Sequence, residues 1–343
     1  MMRIAVAGAG LIGRKHVEVV NRSRLARLSA VADPVPDAAL IATASGAVHF
    51  DSIGQMLAQD PPDGAIIATP NQLHLEHALA CIDAGIPVLV EKPIADSTSA
   101  ARHLVEAGEM AGVPVLVGHH RRHNPLIQAA HQQIASGRIG SAVAGHAMCW
   151  LYKPDDYFSA VWRTRKGAGP VFINLIHDVD LFRYLLGDVA RVQAINSGHT
   201  RKHEVEDTAA IILQMASGAL VTMTVSDTIV APWSWELTSA ENADYPATDQ
   251  SCYFIGGTNG SLDIPANRVW SQQGERSWWQ PISHHRYQAD AADPLDRQLE
   301  NFCEVIAGKA DPLVSGREGL KSLQVIEAIC TAAETGRAIE VHS

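Results

Sequence analysis

The chain has 343 residues, 47% hydrophobic and 19% charged, a balance that suits a globular protein of two ordinary domains and excludes a disordered or fibrous one. Its formal net charge of −10 gives no electrostatic attraction to nucleic acid or to an anionic membrane. No apolar run approaches the roughly 20 residues that a membrane-spanning helix needs, and the amino terminus passes directly into a strand, so neither membrane segment nor signal peptide is expected.

Residues 3–7 predict a strand and 11–21 a helix; 28–32 predict a second strand, with a helix near 37–43. The apolar stretch 64–68 ends at Thr69-Pro70-Asn71, and helical spacing over 74–84 stops at Gly85, a natural helix end. Residues 86–90 read as a short strand buried on both faces. Glu91-Lys92-Pro93 follows, then a helix over 97–111 and a strand over 113–117. Strands separated by helices of this length mean βαβ units and a parallel sheet. Right-handed crossovers gather its strands' carboxyl ends on one edge. That edge collects Gly8, Asp33, Thr69-Pro70-Asn71, Glu91-Lys92-Pro93 and Gly118-His119, where open α/β sheets bind ligands. Burial there would lower the pKa of Lys92 and suit it to acid/base work; a solvated loop lysine is the alternative.

After about residue 140 the pattern changes. Segments 189–195, 209–215 and 220–226 read as longer strands joined by short polar turns. Val221, Met223 and Val225 alternate with Thr222, Thr224 and Ser226, which marks a strand with one apolar and one polar face. Strands joined this way are usually antiparallel. Helical patterns return at 125–136, 176–186, 294–307 and 316–335, so the second half reads as an antiparallel sheet with helices on one face. Five scattered cysteines without a CxxC pair argue for reduced thiols and a cytoplasmic location. No metal is expected: His119-His120 with His123 is the nearest approach to a ligand set and lacks cysteine or carboxylate partners.

Gly8-Ala9-Gly10-Leu11-Ile12-Gly13 joins the first strand to the first helix. Its glycines allow a tight turn, close approach of backbone to a pyrophosphate and close helix–strand packing, with the helix amino terminus facing the phosphates. Asp33 ends the second strand at the distance expected of a carboxylate that binds ribose hydroxyls and repels a 2′-phosphate, which favours NAD over NADP. Arg14 and Lys15 could face a phosphate, although the solvated side of the first helix is the simpler place for them.

These residues together resemble the glucose-fructose oxidoreductase, inositol dehydrogenase and MocA family over essentially the whole chain. Further marks are His74, Gly118 with Arg121-Arg122, Trp162-Arg163, the glycine-then-histidine segment 169–186, and Val314-Ser315-Gly316-Arg317-Glu318-Gly319 before a long helix. The resemblance implies an α/β fold: a Rossmann domain over 1–120, then an α+β domain over 121–343 with a large, open-faced, mostly antiparallel sheet, the last helices able to pack back on the first domain. It implies a nicotinamide cofactor held by Gly8, Gly10, Leu11, Ile12, Gly13, Asp33, Thr69, Pro70, Asn71, His74, Glu91, Lys92, His119 and Arg163. Lys92 and His177 match the family's catalytic lysine and histidine, and Lys92, His120, Arg121, Asn174 and His177 fall on the substrate side. The family's aspartate four residues before the histidine is here Ile173, with Asn174 beside it. Asn174 could hold a substrate hydroxyl or orient His177, or cap the helix. Asp180 could reach the imidazole from behind, but a structural or solvated role for Asp178 and Asp180 is the plainer reading. Association as a homodimer or homotetramer is also implied, through a sheet face that Thr222, Thr224 and Ser226 could line.

Oxidising a secondary alcohol removes a hydroxyl proton as well as a hydride. A histidine near its reference pKa of about 6.5 is a credible base. Protonated Lys92 could stabilise developing alkoxide charge, or serve as base itself if its pKa falls far enough. Trp233, Trp235, Trp278 and Trp279 could form a stacking surface for a ring, or be buried in a core or interface. The expected activity is an NAD-dependent dehydrogenase acting on a secondary hydroxyl of a sugar, cyclitol or sugar acid. A dehydrogenase of a carboxylated cyclic cis-dihydrodiol and a non-catalytic NAD-binding sensor are the alternatives. The expected partner is a small polyhydroxylated or diol substrate, with neither nucleic acid nor membrane.

Overall fold

The computed structural model describes residues 1–165 and 167–341. It divides into two units: Met1–His123 with Ala292–Leu323, and Asn124–Ala291 with Gln324–Ser343. Residues 292–323 thus group with the first part of the chain. Residues 342 and 343, included in the expected second domain, lie outside the described residues.

In the first unit the strands are β1 (Met2–Ala7), β2 (Ala26–Ala32), β3 (Val48–Phe50), β4 (Gly64–Ile67), β5 (Val88–Val90) and β6 (Val115–Val117). They form one parallel sheet in the order β3-β2-β1-β4-β5-β6. β4, β5 and β6 are buried at every position because helices cover both faces, which explains their unbroken apolar sequences. The helices are α1 (Leu11–Arg22), α2 (Pro36–Ala44), α3 (Ile53–Gln59), α4 (His74–Asp83) and α5 (Thr98–Ala111). Strand order reverses between β1 and β4, the switch point at which such sheets bind ligands. Neither β3 nor α3 was expected; three and seven residues are too short to display a period. A late helix, Pro294–Ile306, contributes Leu299, Phe302 and Val305 to the core that contains Ile4 and Ile66. It sits so close to β4 that a Cβ on Gly64 would lie 2.6 Å from the end of Ile306.

In the second unit α6 (Pro125–Ala135) starts at Asn124, whose side chain accepts the Leu126 N–H. The strands are β7 (Ala142–Trp150), β8 (Val189–Ser197), β9 (Thr208–Met215), β10 (Leu220–Ser226), β11 (Tyr253–Gly257), β12 (Gly260–Ile264), β13 (Arg268–Ser271), β14 (Ser283–Arg286) and β15 (Ile339–Glu340). Their order is β14-β13-β12-β11-β7-β10-β9-β8-β15, antiparallel at every junction except β7 with β10. α7 (Ile176–Leu186) supplies Val179, Leu181 and Phe182 to a core shared with Ala147, Val221, Met223 and Tyr253. On β10 Thr222 is exposed and Thr224 half-buried, as the alternation predicts. Ser226 departs from it: the residue is buried, with its hydroxyl against Thr208 (3.0 Å) and Thr228 (2.9 Å). A short helix α8 (Trp235–Thr238) follows β10; in chain order Pro294–Ile306 is α9 and Gly316–Thr335 is α10.

The cysteines are free, four of them buried. No helix among the described residues is long and apolar enough to cross a membrane, and no cluster there could hold a metal ion.

Candidate active site

In the first unit the candidate residues lie at the carboxyl edge of the parallel sheet. Gly8 has φ +95°, and a Cβ on it would lie 2.5 Å from the Ala68 carbonyl oxygen, so β1 turns hard against the end of β4. A Cβ on Gly13 would collide with the Gly8 carbonyl, which holds α1 against the turn. Gly10 is the opposite case, since a Cβ there would meet nothing within 4 Å. α1 begins beside that open space with no side-chain cap and no acid in its first turn. Its first N–H groups and the positive end of its dipole are therefore available to a pyrophosphate, so the cradle fits a dinucleotide. Leu11 is 87% exposed and Ile12 half-buried on its rim.

Asp33, at the end of β2, accepts the Ala9 N–H through Oδ2 (2.7 Å) and the Val35 N–H through Oδ1 (2.8 Å). Two of its roughly four lone-pair positions stay open to hydroxyl donors. Arg14 is not simply on the far, solvated side of α1: its Nε donates to the Ala9 carbonyl (3.1 Å) and its guanidinium lies 3.6 Å from Asp37. Lys15 does lie outside, 3.5 Å from Glu18.

After β4, Thr69 and Asn71 are half-buried and Pro70 exposed. His74, expected at the cofactor, has no exposed surface. Its Nε2 meets the Thr69 carbonyl (2.8 Å) and its Nδ1 the Pro93 carbonyl (2.9 Å), so it braces the two loops from behind. Burial lowers its pKa, against the pull of those two carbonyls.

Glu91 is also an anchor. His16 Nε2, on the buried face of α1, hydrogen-bonds Glu91 Oε1 at 2.7 Å, and the Lys92 backbone N–H donates to Oε2 at 3.1 Å. Burial would push this carboxyl up, but the His16 hydrogen bond, aided by the His16, His120 and Lys92 charges, holds it down at about 2. Gly118 leaves room for it, since a Cβ there would lie 2.9 Å from the carboxyl carbon. Lys92 is half-buried and joined to Pro93 by a cis peptide. Residues 120–123 form a tight turn after β6. His119 and Arg121 are buried and His120 is half-buried, while Arg122 pairs with Glu318 at 2.9 Å.

In the second unit the candidate residues gather where α7 begins. Val171–Leu175 forms a single wide turn before it. Gly169 allows Glu206 to pack against this start, where any Cβ would collide with the carboxylate and Glu206 Oε1 accepts the Val171 N–H (3.1 Å). This accounts physically for the glycine eight residues before His177. Burial raises the Glu206 pKa. His177 is 7% exposed, and Ile173 and Asn174 are half-buried. Asp178 is structural: fully buried, it accepts the Tyr253 hydroxyl proton, and Tyr253 stacks on Trp235 (ring centroids 5.8 Å apart). Asp180 is buried as well.

Sequence reasoning missed Lys153, although Lys153-Pro154 repeats the dipeptide Lys92-Pro93. It is 8% exposed, and its Nζ donates to Asn174 Oδ1 at 2.7 Å. Burial lowers its pKa, opposed first by Asp227. Arg201 clamps this loop by donating to Asp227 Oδ1 (2.7 Å) and to the Lys153 and Asp227 carbonyls (2.6 Å each). Arg163 donates to the Tyr157 carbonyl (2.6 Å) and lies over the Tyr157 ring (4.0 Å). The tryptophans do not form one stacking surface: Trp235 is core, Trp233 packs edge-on to Trp150, and Trp278 and Trp279 are 88% and 83% exposed.

Two family models match the chain, one described as an oxidoreductase family NAD-binding Rossmann fold over residues 2–119, the other as the C-terminal alpha/beta domain of that oxidoreductase family over 131–341. The chain is 31% identical to a 4-carboxy-2-hydroxymuconate-6-semialdehyde dehydrogenase of a Sphingobium species over 66% of its own length and 72% of the relative. It is 28% identical to the 1,5-anhydro-D-fructose reductase of Ensifer adhaerens over 100% and 99% of the two chains. The crystal structure of the WlbA dehydrogenase from Bordetella pertussis, in complex with NADH and UDP-GlcNAcA, superposes with a TM-score of 0.80 at 27% identity, covering 100% of this chain and 99% of that one.

Proposed function

The chain belongs to the glucose-fructose oxidoreductase, inositol dehydrogenase and MocA family of NAD(P)-dependent oxidoreductases acting on CH–OH groups, and from that premise we propose that it is an NAD-dependent dehydrogenase of a secondary hydroxyl on a sugar-like or sugar-acid substrate. The observation that carries this reading is Lys92, held at a strand's carboxyl end by a buried carboxylate tied to the fingerprint helix. Gly8, Gly10 and Gly13 with the uncapped start of α1 take the pyrophosphate, and Asp33 takes ribose hydroxyls. The nicotinamide, when bound, supplies the hydride acceptor. The Lys92 ammonium donates a hydrogen bond to the reacting oxygen and stabilises the charge that grows on it. His177 takes the hydroxyl proton. His74, Glu91 and His16 brace the loops and touch no substrate.

The test is NADH formation across polyols, sugars, sugar acids and carboxylated cyclic diols. Turnover of at least one secondary alcohol is expected, and bound NAD with none oxidised would favour a sensor. NAD is preferred over NADP because the Asp33 carboxylate repels a 2′-phosphate. Asp33→Ser is expected to lower the NAD-over-NADP ratio of kcat/KM by at least about tenfold, a loss of roughly 1.4 kcal/mol in discrimination. Arg14, folded against Ala9, supplies a cation on that side. An unchanged ratio would remove Asp33 from cofactor selection.

A further inference from the structure

In the second unit, Lys153 is a buried ammonium whose side-chain contacts are the Asn174 amide oxygen (2.7 Å) and the face of Tyr157 (5.0 Å to the ring centroid). Among the described residues no carboxylate lies within ion-pair distance of it. Asp227, the acid that influences it most, is committed to Arg201. Arg163 shares the Tyr157 ring, and its Nε is buried without a hydrogen-bond partner. A buried charge is normally paired or fully hydrogen-bonded, and an ammonium with three protons is only part satisfied by one amide oxygen. The same bond fixes Asn174. A lysine can only donate, so the amide oxygen must face Lys153 and its two N–H donors are left for another partner. Donor capacity is therefore left over around Asn174, three residues before His177: the remaining protons of the Lys153 ammonium, the Asn174 amide N–H pair and the nearby Arg163 Nε–H.

We propose that Lys153, with Asn174, receives a carboxylate of the substrate and is the specificity-determining cation of the second unit. The preferred substrate is then a polyhydroxylated acid rather than a neutral sugar or cyclitol. The assignment rests on the dehydrogenase reading, which it deepens by naming the substrate class. A carboxylate supplies two oxygens with about four acceptor positions, enough for the remaining Lys153 protons and the Asn174 amide together. A neutral hydroxyl supplies fewer acceptors and leaves the buried charge uncompensated.

The test is calorimetric binding to the protein saturated with NADH, using three matched pairs: D-glucuronate with D-glucose, D-galacturonate with D-galactose, and L-tartrate with L-threitol. Wild type is expected to bind at least one acid at least about tenfold more tightly than its neutral partner, as a charge-assisted hydrogen bond would give. Lys153→Met should erase that preference by lowering the acid's affinity at least about fivefold more than that of its neutral partner, and Lys153→Arg should restore most of it. The Arg variant keeps the test open should Met not fold, a point checked by melting temperature. Absence of an acid preference in wild type, or equal loss on both members of a pair in a folded Lys153→Met, would overturn the assignment. Turnover reads the reaction separately. Lys153-dependent acid binding with no NADH formed would sink the dehydrogenase reading alone, whereas NADH formation without acid preference would sink only the role of Lys153.

Discussion

Lys92→Met lowers turnover by about 10³-fold while dinucleotide affinity stays within about twofold, the general size of a lost proton-handling or charge-stabilising group. The side chain of methionine keeps an unbranched, flexible stem, one heavy atom shorter than that of lysine, and lacks the charge and donors. The backbone of the loop is held from below: Glu91 accepts the Lys92 N–H, and His74 holds the Pro93 carbonyl. Neither contact involves the Lys92 side chain, so the substitution removes chemistry without releasing the loop. His177→Ala should cost about 10²-fold and flatten the acidic limb of the pH–rate profile, because the base it removes is the one that must be neutral to act. If the limb survives in His177→Ala and the loss is small, Lys92 takes the proton itself. Stopped-flow measurement of NADH formation against pH for both variants, with NADH fluorescence for binding, separates these outcomes. A Lys92→Met enzyme within tenfold of wild type would remove Lys92 from the chemistry.

The sequence made the parallel sheet legible because its strands are buried on both faces, which leaves a continuous apolar signature of the kind seen at Ala65 to Ile67 and Val88 to Val90. The same logic fails for β7, rich in alanine and glycine, and for β14, Ser283-His284-His285-Arg286, which is exposed at every position. Those strands exist through their neighbours' ladders rather than their own propensity. At the site, the glycine fingerprint and Glu91-Lys92-Pro93 are local in sequence and could be read directly. Lys153 could not, because its loop is clamped by Arg201, 48 residues further along the chain, which is itself paired with Asp227 another 26 residues on. His74 illustrates the converse: a histidine in a site motif looks like a contact until both of its ring nitrogens are found on backbone carbonyls. Asp178 likewise follows His177 in sequence but turns into the core, toward Tyr253.

His16→Ala should cost about 3 kcal/mol of stability at neutral pH, since removing one partner of a buried pair leaves an uncompensated charge. Glu91 then loses the contact that holds its carboxyl near 2, against about 4.3 in an unfolded chain. A carboxylate depressed in the folded state stabilises fully above its unfolded pKa and loses that contribution as pH falls through the folded one. Wild type should therefore shed roughly 3 kcal/mol from this group between about pH 4.5 and 2. In His16→Ala that part of the acid limb should be flat, which urea titrations across the range would read. The catalytic consequence comes from the same carboxylate. Its two oxygens tie the fingerprint helix, through His16, to the Lys92 backbone N–H. Releasing one tie should lower kcat by about tenfold, the cost of a small misplacement of a group acting at hydrogen-bond range, with little change in KM for substrate. His16→Gln, which keeps an N–H donor, should recover most of both losses. A Gln variant no better than Ala in kcat, yet fully restored in stability, would show that His16 supports the fold without positioning Lys92.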